Sequence, residues 1–250
     1  DDDAVEVNDY DALKAAIADP TVEAIDITAD ITFPAPIEIT GATTIGSSAQ
    51  ATLSGGGKTQ LFTVADGASL TLFAITVADG FADMGGCGGA ISNDGHLLAV
   101  DATMTRNVGD SGGAVCNKET FEAYSVAFTK NTAEGIIKQG GAIHNSGTMT
   151  LVANTFKTND AQDGGAVYND GTLTTTDTEF SSNSATSNGG GIFHSKNAVK
   201  LAIALNAFAD NVGGDDAARL RGTSDDDACD TFAGADVRAR MRVKRSSNGS

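Results

Sequence analysis

The sequence predicts an all-β chain that winds as a parallel β-solenoid, one coil per repeat. Three observations predict it. Gly-Gly-Ala-Ile/Val tetrapeptides recur at Gly88, Gly112, Gly140 and Gly164, at steps of 24, 28 and 24 residues, with a degenerate fifth copy, Gly189-Gly190-Gly191-Ile192, 25 further on. A second tetrapeptide keeps step with it: Met104-x-x-Asn107, Phe128-x-x-Asn131, Phe156-x-x-Asn159, Phe180-x-x-Asn183 and Phe208-x-x-Asn211. The Met or Phe stands 14 residues after the alanine in four copies, and three residues later than that in the fifth. Between the motifs run short alternating segments bounded by Asn-Asp-Gly or Asn-Ser-Gly, the pattern of brief strands closed by turns. A repeat this short cannot bury an apolar face alone, but it can when stacked on its neighbours.

The chain reads in order from its N-terminus. Asp9 to Ala18 spaces Tyr10, Leu13 and Ile17 at helical intervals behind acidic starters, which predicts a short amphipathic helix. Ala24–Thr28, Ile37–Ile39, Thr43–Ile45, Leu61–Val64 and Ser69–Leu72 read as strands of about three coils preceding the Gly-Gly copies. Within each copy Gly-Gly-Ala permits a tight turn, and the Ile or Val after it points inward with the repeated aromatic. The expected core stack is therefore Met104, Phe128, Phe156, Phe180 and Phe208. Asn93, Asn117, Asn145 and Asn169 follow their alanines by three residues, with His194 in that place in the fifth copy. Together with Asn107, Asn131, Asn159, Asn183 and Asn211 they are expected to form two structural ladders, their amides bonding from coil to coil while the residues adopt left-handed turns. At about 4.8 Å per coil, eight or nine coils make a rod of roughly 40 Å.

Beyond Asn211 the character changes. Acidic runs at 213–216 and 225–227 precede seven bases between Arg219 and Arg245, where Val237, Ala239, Met241 and Val243 alternate as in a charged edge strand. The expected division is a β-helix over 1–216 and a C-terminal cap strand with a basic tail over 217–250. Arg242-Val243-Lys244-Arg245-Ser246 matches a dibasic processing site, and Asn248-Gly249-Ser250 a glycosylation sequon.

These paired motifs resemble those of the chlamydial polymorphic outer membrane proteins, and related repeats occur in right-handed parallel β-helix proteins of the pectate-lyase-like superfamily. The resemblance covers Gly88 to Asn211. It implies a right-handed, single-stranded parallel β-helix whose N-terminal end is plugged by the 9–18 helix. For function it implies a choice among adhesins, lyases, epimerases and ice binders.

Composition narrows the partners. Thirty-three acids against 16 bases leave a net charge of −17, which argues against nucleic acid, because phosphate binding needs clustered Lys and Arg. No apolar run is long enough for a transmembrane helix. The chain opens on Asp1-Asp2-Asp3 rather than on a basic, apolar leader, which reads as a processed product working outside the cell or on its surface. Cys87, Cys116 and Cys229 show no metal-ligand spacing and read as buried thiols, with one disulfide plus a free thiol as the alternative.

Chemistry is harder to find. Asp101 and Asp177 share one repeat offset, with Glu122 and Glu179 on neighbouring coils, but Ser125 and Ala153 intervene, so no close carboxylate pair follows and the group reads as a solvated acidic face, with a Ca²⁺ or acid/base site as the alternative. Arg106 and Lys130, with Lys157 beside them, form a small basic stripe that Asp110, Glu134 and Asp160 are placed to neutralise. His144 and His194 read as satisfied structural histidines, and no catalytic residue or cofactor is assigned. Thr148, Thr150, Thr172, Thr174 and Thr176 could begin an ice-binding face, but their ranks do not persist through other coils. The expected function is a non-catalytic surface or secreted module, adhesin-like or a scaffold subunit, contacting glycan or protein through the faces of the helix. A polysaccharide lyase or epimerase acting on acidic glycans is the alternative.

Overall fold

The computed structural model describes residues 4–213 and the backbone of the two-residue strand Arg219–Leu220. The expected edge strand near 237–243, the processing site, the sequon and Cys229 lie outside the described residues.

The described residues form a parallel β-solenoid. Each coil contributes one strand to each of three long sheets, all paired in parallel. The first, here the long-strand sheet, has nine strands from Val5–Val7 to Lys200–Ala204. The second, the Phe sheet, has eight from Ile31–Thr32 to Ala207–Ala209. The third, the Gly-Gly-Ala sheet, has eight from Ile37–Ile39 to Arg219–Leu220. A fourth, four-stranded corner sheet (Val108–Gly109, Thr132–Ala133, Asp160–Asp163 and Ser184–Asn188) joins the Phe sheet to the Gly-Gly turns. Sequence patterning missed this sheet, because its strands are brief and half polar.

One helix, Tyr10–Ala18, follows the first strand. Asp9 caps it by accepting the Ala12 N–H at 2.9 Å, which satisfies a donor the helix cannot. Leu13 and Ala16 are buried, and Tyr10 meets Phe33 edge-on at 5.4 Å.

Pairing is in register wherever the repeats align. Phe128 lies opposite Met104 and Phe156, and Phe156 opposite Phe180. The rings of Phe128, Phe156, Phe180 and Phe208 stack at 4.6, 4.8 and 4.9 Å, within 7° of parallel. The first three are fully buried, and Phe208 at the end is partly exposed.

Both asparagine ranks run through the corners. Nδ2 of Asn93, Asn117 and Asn145 donates to Oδ1 of the next rank member at 2.7, 2.7 and 2.6 Å, and Asn169 meets His194 Nδ1 at 2.8 Å. From Asn107 to Asn211 the corresponding distances are 3.0, 3.0, 2.9 and 2.9 Å. The expectation that these asparagines adopt the left-handed conformation is corrected: none has a positive φ. The left-handed residue is the one before each Phe-sheet asparagine, namely Arg106, Lys130, Thr158, Ser182 and Asp210, with φ between 53° and 57°. That residue turns its side chain outward, which frees the asparagine amide to enter the coil and bond the backbone.

The Gly-Gly pair has two separate duties. Gly112 is left-handed at φ 63°, where a side chain is strained. Gly113 is not, but a Cβ there would collide with the Gly141 carbonyl of the next coil and lie 2.6 Å from Thr132 N. The corner sheet packs against bare backbone at this point.

Candidate functional site

Two outward ranks meet across the Gly-Gly turns. Ser92, Cys116, His144, Tyr168 and Phe193 follow one another along the Gly-Gly-Ala sheet. Cys87, Ser111, Gln139 and Asp163 are bridged in parallel on the other side of the turn. His144 and Tyr168 stack at 5.1 Å and 7°, and Tyr168 and Phe193 at 5.2 Å and 28°. Burial pushes the Tyr168 phenol up, helped by Asp170 and Asp163.

Cys87 and Cys116 form a disulfide across neighbouring coils. The reading of three buried thiols is thus corrected: the fold carries the partners, 29 residues apart in sequence, to a Cα–Cα distance of 5.3 Å. Ser111 Oγ donates to Cys87 Sγ at 3.1 Å. One ligating atom of His144 joins the two sulfurs in a group whose members all lie within 4.8 Å of one another. His144 corrects a second expectation, since its Nδ1 is buried and hydrogen-bonds to nothing. Burial lowers the His144 pKa, and Asp170 opposes the shift only in part. His194 is lowered for the same reason.

A second locality lies one corner away. Asp110 is fully buried, yet its surroundings favour the charged form. Burial raises its pKa, but N–H groups of Ile137, Gly85 and Ile136 donated to the carboxylate outweigh this and leave it lowered. Those donors belong to two loops, 82–86 and 134–138, on either side of the coil that carries Asp110. The loops present Met84, Ile136 and Ile137 to solvent at 79, 75 and 46 % exposure.

Asp110 therefore does not neutralise the basic stripe as expected. Arg106 is paired instead with Asp79, Nε and Nη2 donating to the two carboxylate oxygens at 2.7 and 2.8 Å. The guanidinium's hydrogen bonds hold Asp79 below the usual carboxylate range. Arg106 and Asp79 line an open groove of about 460 Å³ with Gly56, Gly57, Gly80, Phe81, Val108 and Glu134.

The four carboxylates singled out in sequence do not converge. Asp101 and Asp177 occupy left-handed turn positions with Ser125 and Ala153 ranked between them. Glu122 accepts from the Tyr124 hydroxyl at 2.7 Å and faces His96 Nε2 at 3.4 Å. Glu179 lies on the Phe sheet, in the coil of Asp177 rather than the one beside it.

One family model covers most of the chain. Residues 4–198 fit the family described as "Putative pectate lyase-like adhesive domain". The chain belongs to this family. No curated protein and no solved structure gives a significant match. The match runs from the first strand through the fifth Gly-Gly copy and ends before the strands Lys200–Ala204 and Ala207–Ala209. No helix among the described residues is long and apolar enough to cross a membrane.

Proposed function

We propose that the chain is a non-catalytic adhesive module, displayed on a cell surface or secreted, that contacts a protein or glycan through one face of the solenoid. The observation that carries this reading is the pair of loops fastened to Asp110. Exposed apolar side chains on mobile loops would be incidental, but here a buried carboxylate holds Gly85, Ile136 and Ile137 from two coils at once. The loops are thereby held in place with Met84, Ile136 and Ile137 outward, and rigid apolar groups ringed by polar surface are how proteins bind partners. Membership of an adhesive-domain family supports the same reading.

Beads coated with the chain would be tested for adhesion to cell surfaces treated with protease, with glycosidases, or left intact. A triple variant, Met84→Ser, Ile136→Ser and Ile137→Ser, should adhere far less while melting at the parent temperature. Adhesion abolished by protease identifies a protein partner, and adhesion abolished by glycosidases a glycan. Unaltered adhesion by the triple variant refutes the loop assignment. Release of unsaturated uronates from pectin or alginate would overturn the non-catalytic reading in favour of a lyase.

A further inference from the structure

The Cys87, Cys116 and His144 group invites a chemistry that its disulfide conceals. Three soft or borderline donors converge from three successive coils, all within 4.8 Å of one another. Around one tetrahedral cation with bonds of about 2.0–2.3 Å such donors stand about 3.5–4 Å apart, so the two bonded sulfurs must part on reduction while the imidazole nitrogen already lies within reach of both. An independent sign comes from His144 itself, whose Nδ1 is buried without a hydrogen-bond partner. Buried polar atoms are seldom left so, because the lost hydration is not recovered.

We propose that, once the Cys87–Cys116 disulfide is reduced, the two thiolates and the His144 imidazole bind one Zn²⁺. Reduction by a dithiol supplies two electrons and two protons, and the reductant leaves as its own disulfide. Zn²⁺ then displaces the two thiol protons to water, and the neutral imidazole contributes its lone pair. Two thiolates balance the charge of the ion, so the loaded site is neutral and needs no counter-ion from the protein. Thiolates select a d¹⁰ cation over Ca²⁺ or Mg²⁺, which prefer oxygen ligands. Three protein ligands leave the fourth position to water or to a partner's side chain.

The supporting shell is already present. Ser111 Oγ donates to Cys87 Sγ at 3.1 Å, a bond that steadies a thiolate better than a thiol. The strands of Cys116 and His144 pair in register, and the His144 ring is clamped flat on Tyr168. Cys87 is bridged to Ser111. The ligands are held by the coil stacking itself, so removing the covalent link leaves them close. Oxidised, the group is a coil-to-coil staple; reduced, it is a chelate.

The test uses the full chain carrying Cys229→Ser, so that only the two coil cysteines can respond. One sample is kept oxidised, and another is reduced with a phosphine, which water converts to its oxide. Each is titrated anaerobically with Co²⁺ as a spectroscopic probe and then with Zn²⁺. The reduced chain should bind one Co²⁺ with a sulfur-to-metal charge-transfer band and tetrahedral d–d bands, and Zn²⁺ should bleach both. His144→Gln should weaken binding at least tenfold and alter the d–d bands, while Cys87→Ser and Cys116→Ser should each abolish the charge-transfer intensity expected of two thiolates. Should reduction loosen the fold, Zn²⁺ should raise the melting temperature of the reduced parent and leave the oxidised parent unchanged. The proposal is overturned if the oxidised chain binds Co²⁺ equally, if His144→Gln binds like the parent, or if Zn²⁺ leaves the reduced parent's melting temperature where it was.

Discussion

Asn159→Ala tests the ladder at its centre. Asn159 is fully buried, and its amide makes four contacts. Oδ1 accepts from Asn131 N and Asn131 Nδ2, both at 3.0 Å, and Nδ2 donates to Phe128 O at 3.0 Å and Asn183 Oδ1 at 2.9 Å. Each such bond contributes about 0.5–1.5 kcal/mol net, so losing all four costs about 2–6 kcal/mol. The upper half of that range is expected, because the abandoned groups stay buried and water cannot replace the amide. Asn211→Ala is the internal control. It occupies the same repeat offset at the exposed end of the rank, where water can reach the Asn183 N and Nδ2 groups that donate to its Oδ1, and should cost about 1 kcal/mol or less. Urea melts measure both variants, and hydrogen exchange locates the damage. In Asn159→Ala the Asn131 amide should lose its protection before amides in distant coils. Equal losses in the two variants, or a protected Asn131 amide, would refute the claim that the ladder holds the coils together.

Three further outcomes are expected. Phe156→Ala removes a fully buried ring sandwiched at 4.6 and 4.8 Å, and should cost roughly 3–5 kcal/mol, whereas Thr174→Ala on the outer side of the long-strand sheet should stay within about 0.5 kcal/mol in the same melts. Gly113→Ala should destabilise by about 3 kcal/mol or more, since its Cβ would meet the backbone of Gly141 and Thr132, while Gly41→Ala, with open space around it, should be neutral by thermal melting. For pH, burial lowers the His194 pKa from its ordinary 6.5, so on acidification the unfolded chain takes up the proton first. Stability is then full above the unfolded value and declines as pH falls towards the folded one. Melting temperatures between about pH 7.5 and 5.5 should drop, and His194→Asn, which restores the residue of the other four copies, should make that slope shallower while leaving the share of His144.

Much of this protein was legible in its sequence because a solenoid converts sequence period directly into spatial neighbourhood. Residues 24 to 28 apart become vertical contacts, so equal offsets marked the Phe stack and both asparagine ranks before any coordinate. Alternation in the short strands assigned the inward side for the same reason. The rank of Asn154 and Asn206 escaped notice because its offset is occupied by mixed residues: Asn154 accepts from Val126 N, and Asn206 from Thr178 N, both at 2.8 Å. A hydrogen-bonding duty shared among different side chains leaves no repeated letter to find.

What only the tertiary structure decided are contacts between different offsets. Cys87 and Cys116 hold unlike positions in their repeats, so the period said nothing of their meeting, and the Gly-Gly turn brought them together with His144. Arg106 pairs with Asp79 rather than Asp110 because the Asp110 carboxylate is taken up by the amides of two loops. Direction at a corner depends on which residue takes the left-handed turn, and that is set by close packing of neighbouring coils. Repetition therefore wrote the rod, its core and its ladders into the sequence. The disulfide group and the loop-bearing carboxylate arise where the chain departs from its own repeat, and there only the folded geometry determines which side chains meet.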